Sequence, residues 1–203
     1  MERAEALARL RELEGSDLRP LADRYGVTVW TDGGKNKGWA GQVIERHLGM
    51  SHNCSQSPDF GTWELKVIPL KRNRAGALRV KETMAITMID PEDVVSTPFE
   101  NSHLLAKLRC ALVCARIFEA QSDDRSVLHR VATFDLDDPS MLERVRLDYE
   151  LVRETISTVG FHALSGSMGI LVQPRTKGPG HGSISRAFYA RTGLVAGILG
   201  LAC

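Results

Sequence analysis

In the run PDFGTWELKVIPL, two carboxylates and an ammonium fall within eight residues: Asp59, Glu64 and Lys66. Residues 63–70 read as a strand. Side chains alternate faces along a strand, so Glu64 and Lys66 point the same way. Between Asp59 and that strand lies Phe60-Gly61-Thr62, and the glycine permits a tight turn. Such a turn folds Asp59 back beside Glu64. Two carboxylates and one ammonium on one surface make a small site for a hard divalent cation and an activated water, a combination suited to phosphodiester hydrolysis. Mg²⁺ fits because it takes only one or two carboxylates and keeps most of its water.

A further acid, Glu45, stands on the helix read before this strand, opposite much of its apolar stripe. It is a candidate to complete a second metal site or to position water. The bland alternative is that Glu64-Leu65-Lys66 is a solvated same-face ion pair on an ordinary strand, a pattern many unrelated sequences contain by chance.

The elements that must position these residues read as follows. Residues 2–14 form a helix with Ala6, Leu7, Leu10 and Leu13 near one face, and Gly15 stops it. A short helix covers 17–24, a loop 31–36, and a helix about 38–48 with Trp39, Val43, Ile44 and Leu48 toward the core. After the strand at 63–70 comes a basic turn, KRNRAGA. Residues 78–89 read as one strand. Asn101 or Ser102 caps a Leu- and Ala-rich helix running to about residue 119. A strand covers 127–134, and Asp138-Pro139 opens a helix to about 158. A strand at 168–173 precedes a Gly-, Pro- and base-rich loop at 174–185. An extended segment at 186–191 leads to a closing apolar helix. Helices flanking a mixed sheet make an α/β or α+β domain.

Composition sets the outer bounds. The chain has 203 residues, 43% hydrophobic and 25% charged, with a net charge of +1. This length is one large domain or two closely joined lobes. The near-neutral charge means that any polyanion surface is a local patch offset by acids elsewhere. Cys110 and Cys114, in the stretch read as helix, share a face and pack as small hydrophobes. No signal-peptide pattern opens the sequence. The apolar run at 194–203 is too short to span a bilayer, so no membrane association and a reducing, cytoplasmic setting are expected.

The run NKGWAGQVIERHLG, followed by PDFGTWELKVIPL, resembles the MutH family of mismatch-repair endonucleases and the related GATC-cutting type II restriction enzymes. Both belong to the restriction-endonuclease-like superfamily with its PD-(D/E)xK motif. The resemblance runs from about residue 36 to the end, with several motifs in the family's order. It implies a restriction-endonuclease-like fold: a mixed β-sheet flanked by helices, in two lobes around a DNA cleft. It implies one endonuclease domain over residues 1–203, with the N-terminal helices of 1–35 leading into the catalytic core.

On the same resemblance Asp59, Glu64 and Lys66 take the catalytic triad positions and Glu45 the additional active-site acid. The metal is held by Asp59, Glu64 and the Leu65 carbonyl. Lys37 in KGWAGQ matches a family lysine beside the site. ENSHLLAKL matches a family helix start, and its Lys107 falls on a lysine associated with DNA contact or catalysis. VQPRTKG supplies Arg175 and Lys177. RAFYARTG supplies Tyr189, at the position linked to sensing adenine methylation, with Arg186 close by. Together with His181, these basic residues cluster around the 174–185 loop.

Departures from the family are local. The Asp-to-Glu spacing is shorter than in the enteric repair enzymes. Residues 67–89, with the basic turn and the RVKET run, are closer to the restriction relatives, and the 174–185 loop is distinct. These changes fall on the DNA-reading surface. The expected activity is Mg²⁺-dependent endonucleolytic hydrolysis of DNA at GATC-like sites, with Mn²⁺ able to substitute. A nicking enzyme of methyl-directed mismatch repair, stimulated by the MutL ATPase, is the first reading. A restriction enzyme with a cognate methyltransferase, cutting both strands, is the alternative, and a non-catalytic DNA-binding module the third. Double-stranded DNA is the expected partner of a monomer or transient dimer.

Overall fold

The computed structural model describes residues 1–50, 58–178 and 184–201. His52, Cys54, His181 and Cys203 lie outside the described residues. Two short helices, α1 (Arg3–Arg11) and α2 (Leu18–Arg24), open the chain. The side chain of Asp17 accepts a hydrogen bond from the Arg19 N–H and so caps α2. The segment read as a loop at 31–36 is a tight hairpin of β1 (Trp30–Thr31) and β2 (Gly34–Lys35). It leads into α3 (Trp39–His47), which buries Trp39, Ala40, Val43 and Ile44, the stripe expected from the sequence.

The main sheet contains β3 (Glu64–Arg72), β4 (Leu78–Val80), β6 (Cys110–Ile117) and β7 (Leu128–Asp135), in the order β4-β3-β6-β7. Strands β3 and β6 run parallel and the outer pairs antiparallel, so the sheet is mixed. A second, antiparallel sheet holds β5 (Met84–Ile89), β8 (Val172–Thr176) and β9 (Arg186–Ala190), in the order β5-β9-β8. The remaining helices are α4 (Pro91–Ser96), α5 (His103–Leu108), α6 (Pro139–Thr158) and α7 (Thr192–Ile198). The α+β class expected from the sequence is the one observed.

Three readings need correction. Residues 101–119 do not form one long helix. Ser102 does cap a helix, accepting from the Leu105 N–H, but α5 stops at Leu108 and the chain continues as β6. The apolar run is the central strand of the sheet, buried on both faces: Ala111, Val113 and Ala115 enter one core, Leu112 and Cys114 the other. A strand covered on both sides reads as a continuous apolar run, which periodicity alone cannot separate from a buried helix. Each fully buried Val or Leu there contributes about 1.5–3 kcal/mol, enough to override the helix propensity of Leu and Ala. Cys110 and Cys114 share a face as alternate strand residues rather than as helix neighbours, and burial pushes the Cys114 thiol up to about 12.

The segment 78–89 is two strands in different sheets, broken at residues 81–83. Finally, the strand read at 168–173 begins only at Val172 and extends to Thr176, taking in the first residues of the expected loop. Residues 170–172 are held in place by the buried Asp148, whose carboxylate accepts from the N–H groups of Ile170, Leu171 and Val172 at 2.7–2.8 Å.

Two hydrophobic cores result. One lies under α1–α3 and includes Trp39, Trp63 and Leu65; the other lies between the two sheets and α4–α7 and includes Ile68, Leu70, Tyr149 and Phe188. Strand β3 separates them, and this sets the site. Its Leu65 side faces the N-terminal core, while Glu64 and Lys66 share the Ile68 and Leu70 face.

Candidate active site

The turn before β3 closes as its glycine predicts. Gly61 sits at φ +78°, in the left-handed region where a side chain is strained. Its N–H donates to the Pro58 carbonyl at 3.0 Å, and the Phe60 N–H donates to the Trp63 carbonyl at 3.1 Å. The rings of Phe60 and Trp63 stack at 3.8 Å between centroids. Asp59 is thereby folded back onto the start of β3. Its N–H donates to Glu64 Oε2 at 3.0 Å, and its Oδ2 accepts from the Leu65 N–H at 3.3 Å.

Strand β4 pairs with β3 only from Leu70 to Arg72, so the Leu65 edge of β3 away from β6 carries no strand partner. The N–H and C=O of one strand residue point to the same side. The Leu65 N–H faces Asp59, so its carbonyl faces that open edge as well.

Glu64 is fully buried, and two ammonium groups meet its carboxylate. Lys66 Nζ bonds Glu64 Oε1. Lys107 Nζ, brought in from the last turn of α5, lies 3.1 Å from the same oxygen and 3.9 Å from Asp59 Oδ1. Sequence reasoning placed Lys107 by resemblance alone; the structure puts it in direct contact with the carboxylates, 8% exposed. Burial pushes the Asp59 carboxyl above its usual range and the Glu64 carboxylate adds to the rise, while Lys66, Lys107 and the Leu65 N–H oppose it without reversing it.

That rise bears on whether a metal fits. Two carboxylates and a carbonyl converge at a strand edge, and one carboxylate resists ionisation there, a penalty a divalent cation relieves. No group of three or more His, Cys, Asp or Glu side chains arranged for a metal occurs among the described residues. The two carboxylates and the carbonyl are oxygen donors, the ligand type that a hard, water-rich ion such as Mg²⁺ takes.

Lys66 also lines a groove of about 510 Å³ where the two sheets meet, together with Ile68, Glu82, Thr83, Arg175 and Tyr189. Arg175 Nη1 donates to Thr83 Oγ1 at 3.1 Å. Burial raises the Tyr189 phenol, with Arg175 opposing and Glu82 adding to the rise. Lys177, exposed and directly after β8, has its ammonium pKa lowered, first by desolvation and then by the charges of Lys66 and Lys107. Glu82 and Thr83 were not singled out from the sequence; their signal was a polar pair interrupting an apolar alternation.

The other candidates do not line the groove. Glu45 is half-buried on α3, which packs on β3. Lys37 lines a pocket that adjoins the groove through Glu82. Arg186 is not brought to the groove: it pairs across from Thr176 and lies over the Phe161 ring at 5.9 Å, three residues and hence one strand face away from Tyr189. The basic turn after β3 is organised on itself, with Asn73 Oδ1 accepting from the N–H groups of Ala75 and Ala77. It sits about 17 Å along the strand from Lys66.

The model of the family described as "DNA mismatch repair enzyme MutH" matches residues 48–143. The chain is 29% identical to a DNA mismatch repair protein MutH of Vibrio parahaemolyticus, over 91% of this chain and 81% of the relative. It is 30% identical to the protein of the same name in Pasteurella multocida, over 92% and 80%. Among solved structures it is similar to the restriction endonuclease MvaI in complex with its cognate DNA, at 12% identity and a TM-score of 0.38, covering 89% of this chain and 94% of the other. That likeness is too remote to carry a conclusion. The sequence relatives are not remote: they match along most of their own length and across the whole Asp59–Glu64–Lys66–Lys107 cluster, and the chain belongs to the MutH family of DNA mismatch repair enzymes.

Proposed function

We propose that the chain, acting as a single domain, is a Mg²⁺-dependent endonuclease that nicks double-stranded DNA at GATC-like sites in methyl-directed mismatch repair. The observation that carries this reading is the cluster at the open edge of β3: Asp59 and Glu64 held together, with Lys66 and Lys107 on the same oxygen. Asp59, Glu64 and the Leu65 carbonyl would hold the ion, with Mn²⁺ able to replace it. A bound Mg²⁺ supplies Lewis acidity and lowers the pKa of a coordinated water.

The chain's own groups do the rest. The Lys66 ammonium, one-fifth exposed and facing the groove, orients the attacking water and offsets charge gathering on the phosphate. Lys107 pairs with the buried Glu64 carboxylate and fixes its direction. Lys177, directly after β8, approaches the scissile phosphate from the second sheet. Arg175 and Tyr189 form the opposite wall of the groove and are the groups offered to base edges and to an adenine methyl. Lys37 and Arg186 hold backbone phosphates further out, and Glu45 supports the water from α3. The catalytic set occurs once among the described residues, which matches one strand cut per binding event by a monomer, with the MutL ATPase as activator.

The test is incubation of the purified protein with unmethylated, hemimethylated and fully methylated GATC plasmid, with Mg²⁺, with Mn²⁺ and with EDTA. Nicked circles from the first two substrates, none from the third and none in EDTA are expected. Rapid linearisation of unmethylated plasmid without a partner would instead indicate a dimeric restriction enzyme with a cognate methyltransferase. Absence of cleavage in every metal would defeat the nuclease reading. No helix among the described residues is long and apolar enough to cross a membrane.

A further inference from the structure

A second basic pocket adjoins the groove on the side of the N-terminal helices. It has a volume of about 340 Å³ and lies between the β1–β2 hairpin, Pro69 of β3 and the connection leaving β6. Its charge is not balanced. Lys35, Lys37, Lys81 and Arg116 line it, against the lining carboxylate Glu82 and the buried Asp123 behind it. Asp123 is already saturated: Arg116 approaches it at 3.1 and 3.2 Å, Lys35 Nζ at 2.7 Å and the Trp39 indole N–H at 2.9 Å. Lys81 is only loosely matched by Glu82, at 3.8 Å. In a chain whose whole net charge is +1, this is a concentrated positive spot.

The pocket also has a rigid aromatic floor. Lys81 Nζ stands 4.4 Å and Lys35 Nζ 5.5 Å from the centre of the Phe118 ring, so two ammoniums are drawn over one face-rich side chain. The Lys81 N–H donates to the Pro69 carbonyl at 3.0 Å, which fixes the base of that lysine to β3. Lys66 is three residues back along the same strand, about 10 Å away. Glu82 lines both this pocket and the groove that holds Lys66, so the two are continuous.

We propose that this pocket is a phosphate subsite. It seats a DNA backbone phosphate flanking the bond held at the Asp59–Glu64 cluster, with Lys81 as its direct contact and Lys35 and Phe118 as the frame that aims Lys81. This deepens, and rests on, the nuclease reading. The subsite would add affinity without reading sequence, because phosphate contacts position a protein on DNA and base contacts select. Its chemistry is that of any phosphodiester oxyanion; its place beside the groove selects duplex DNA.

The test is a salt-dependent titration of a labelled GATC duplex, with Ca²⁺ replacing Mg²⁺ to hold off cleavage. Each neutralised phosphate contributes a slope of about 0.9 in log K against log salt. Lys81→Gln is expected to weaken binding roughly 3- to 10-fold and to reduce the slope by about 1. The same loss is expected on a scrambled duplex, and Lys81→Arg should restore the slope. Arg11→Gln, an equal charge change on exposed α1, should leave binding unaltered. An unchanged slope for Lys81→Gln, or an equal loss with Arg11→Gln, would overturn the subsite. If the wild type cuts DNA and only the Lys81 result fails, the nuclease reading stands. If the wild type neither binds nor cuts the duplex, both fall.

Discussion

Two buried carboxylate clusters sit on opposite sides of β3, and they are built to opposite ends. Asp123, fully buried and held at φ 51°, meets a bidentate arginine, a lysine and an indole N–H. Burial alone would raise its pKa, but the hydrogen bonds from Arg116, Lys35 and Trp39 win and hold the carboxyl below its usual range. Asp59 is also partly buried, and there burial first, with the Glu64 carboxylate adding to it, leaves the carboxyl above its usual range despite Lys66 and Lys107. One cluster is closed: it ties the β1–β2 hairpin and α3 to the connection between β6 and β7. The other keeps a repulsion that ordinary packing would have removed. A carboxyl held above its usual range at one place, in a molecule able to hold another below it, is the kind of perturbed group that gathers at functional sites.

The sharpest way to break this comparison is to neutralise each acid in turn. Asp59→Asn should lower the plasmid nicking rate on the order of 10³-fold, the scale of losing one electrostatic element of a catalytic site. Nicking that survives this change would remove Asp59 from the chemistry. Asp123→Asn should leave the chemistry in place but cost about 3–5 kcal/mol of stability, because Arg116 is then buried without its partner. For a chain of this size that is roughly a 6–20 °C fall in the thermal midpoint, read by calorimetry.

Acid titration separates the clusters more finely. Because the folded Asp123 carboxyl is depressed, its stabilising contribution is complete above the ordinary value of 3.8 and is lost as pH falls through the lower folded value. Urea midpoints measured below pH 4 should therefore decline more steeply for wild type than for Asp123→Asn. Equal slopes would mean that the Arg116 pair does not persist in solution. The smallest effect is on the catalytic side. Asp59→Asn relieves a repulsion, so its melting point should match or exceed wild type by about 1–4 °C. Saturating Mg²⁺ should raise the wild-type melting point and leave the variant unmoved. A variant that melts well below wild type would show that Asp59 holds the fold together.

Much of the site could be read from residue order because it is local. Asp59, Gly61, Glu64 and Lys66 lie within one turn and the first residues of one strand, where alternation and a positive-φ glycine decide the geometry. The bounds of α3 and α6 were legible for a similar reason: an amphipathic stripe, and Asp138-Pro139 as cap and first turn. What misled was burial on both faces. Residues 110–117 carry the Leu and Ala of a helix, and only their place between β3 and β7 makes them a strand. The break at residues 81–83 was hidden because the apolar alternation resumes at Met84, right after the polar run Lys81-Glu82-Thr83. Yet that break turns Lys81, Glu82 and Thr83 toward the groove and the basic pocket beside it.

The sequence by itself determined the candidate set: which acid and which lysine share a face, the turn that brings Asp59 back, and the family they resemble. The tertiary structure decided what that set is worth. It delivered Lys107 to Glu64 from 43 residues away. It turned Arg175 and Tyr189 toward Lys66 and Arg186 away from it. It gave one aspartate a raised pKa and another a lowered one. Periodicity records which face a side chain takes within its own element. Burial, desolvation and long-range ion pairing depend on which elements meet, and no stretch of residues states that alone.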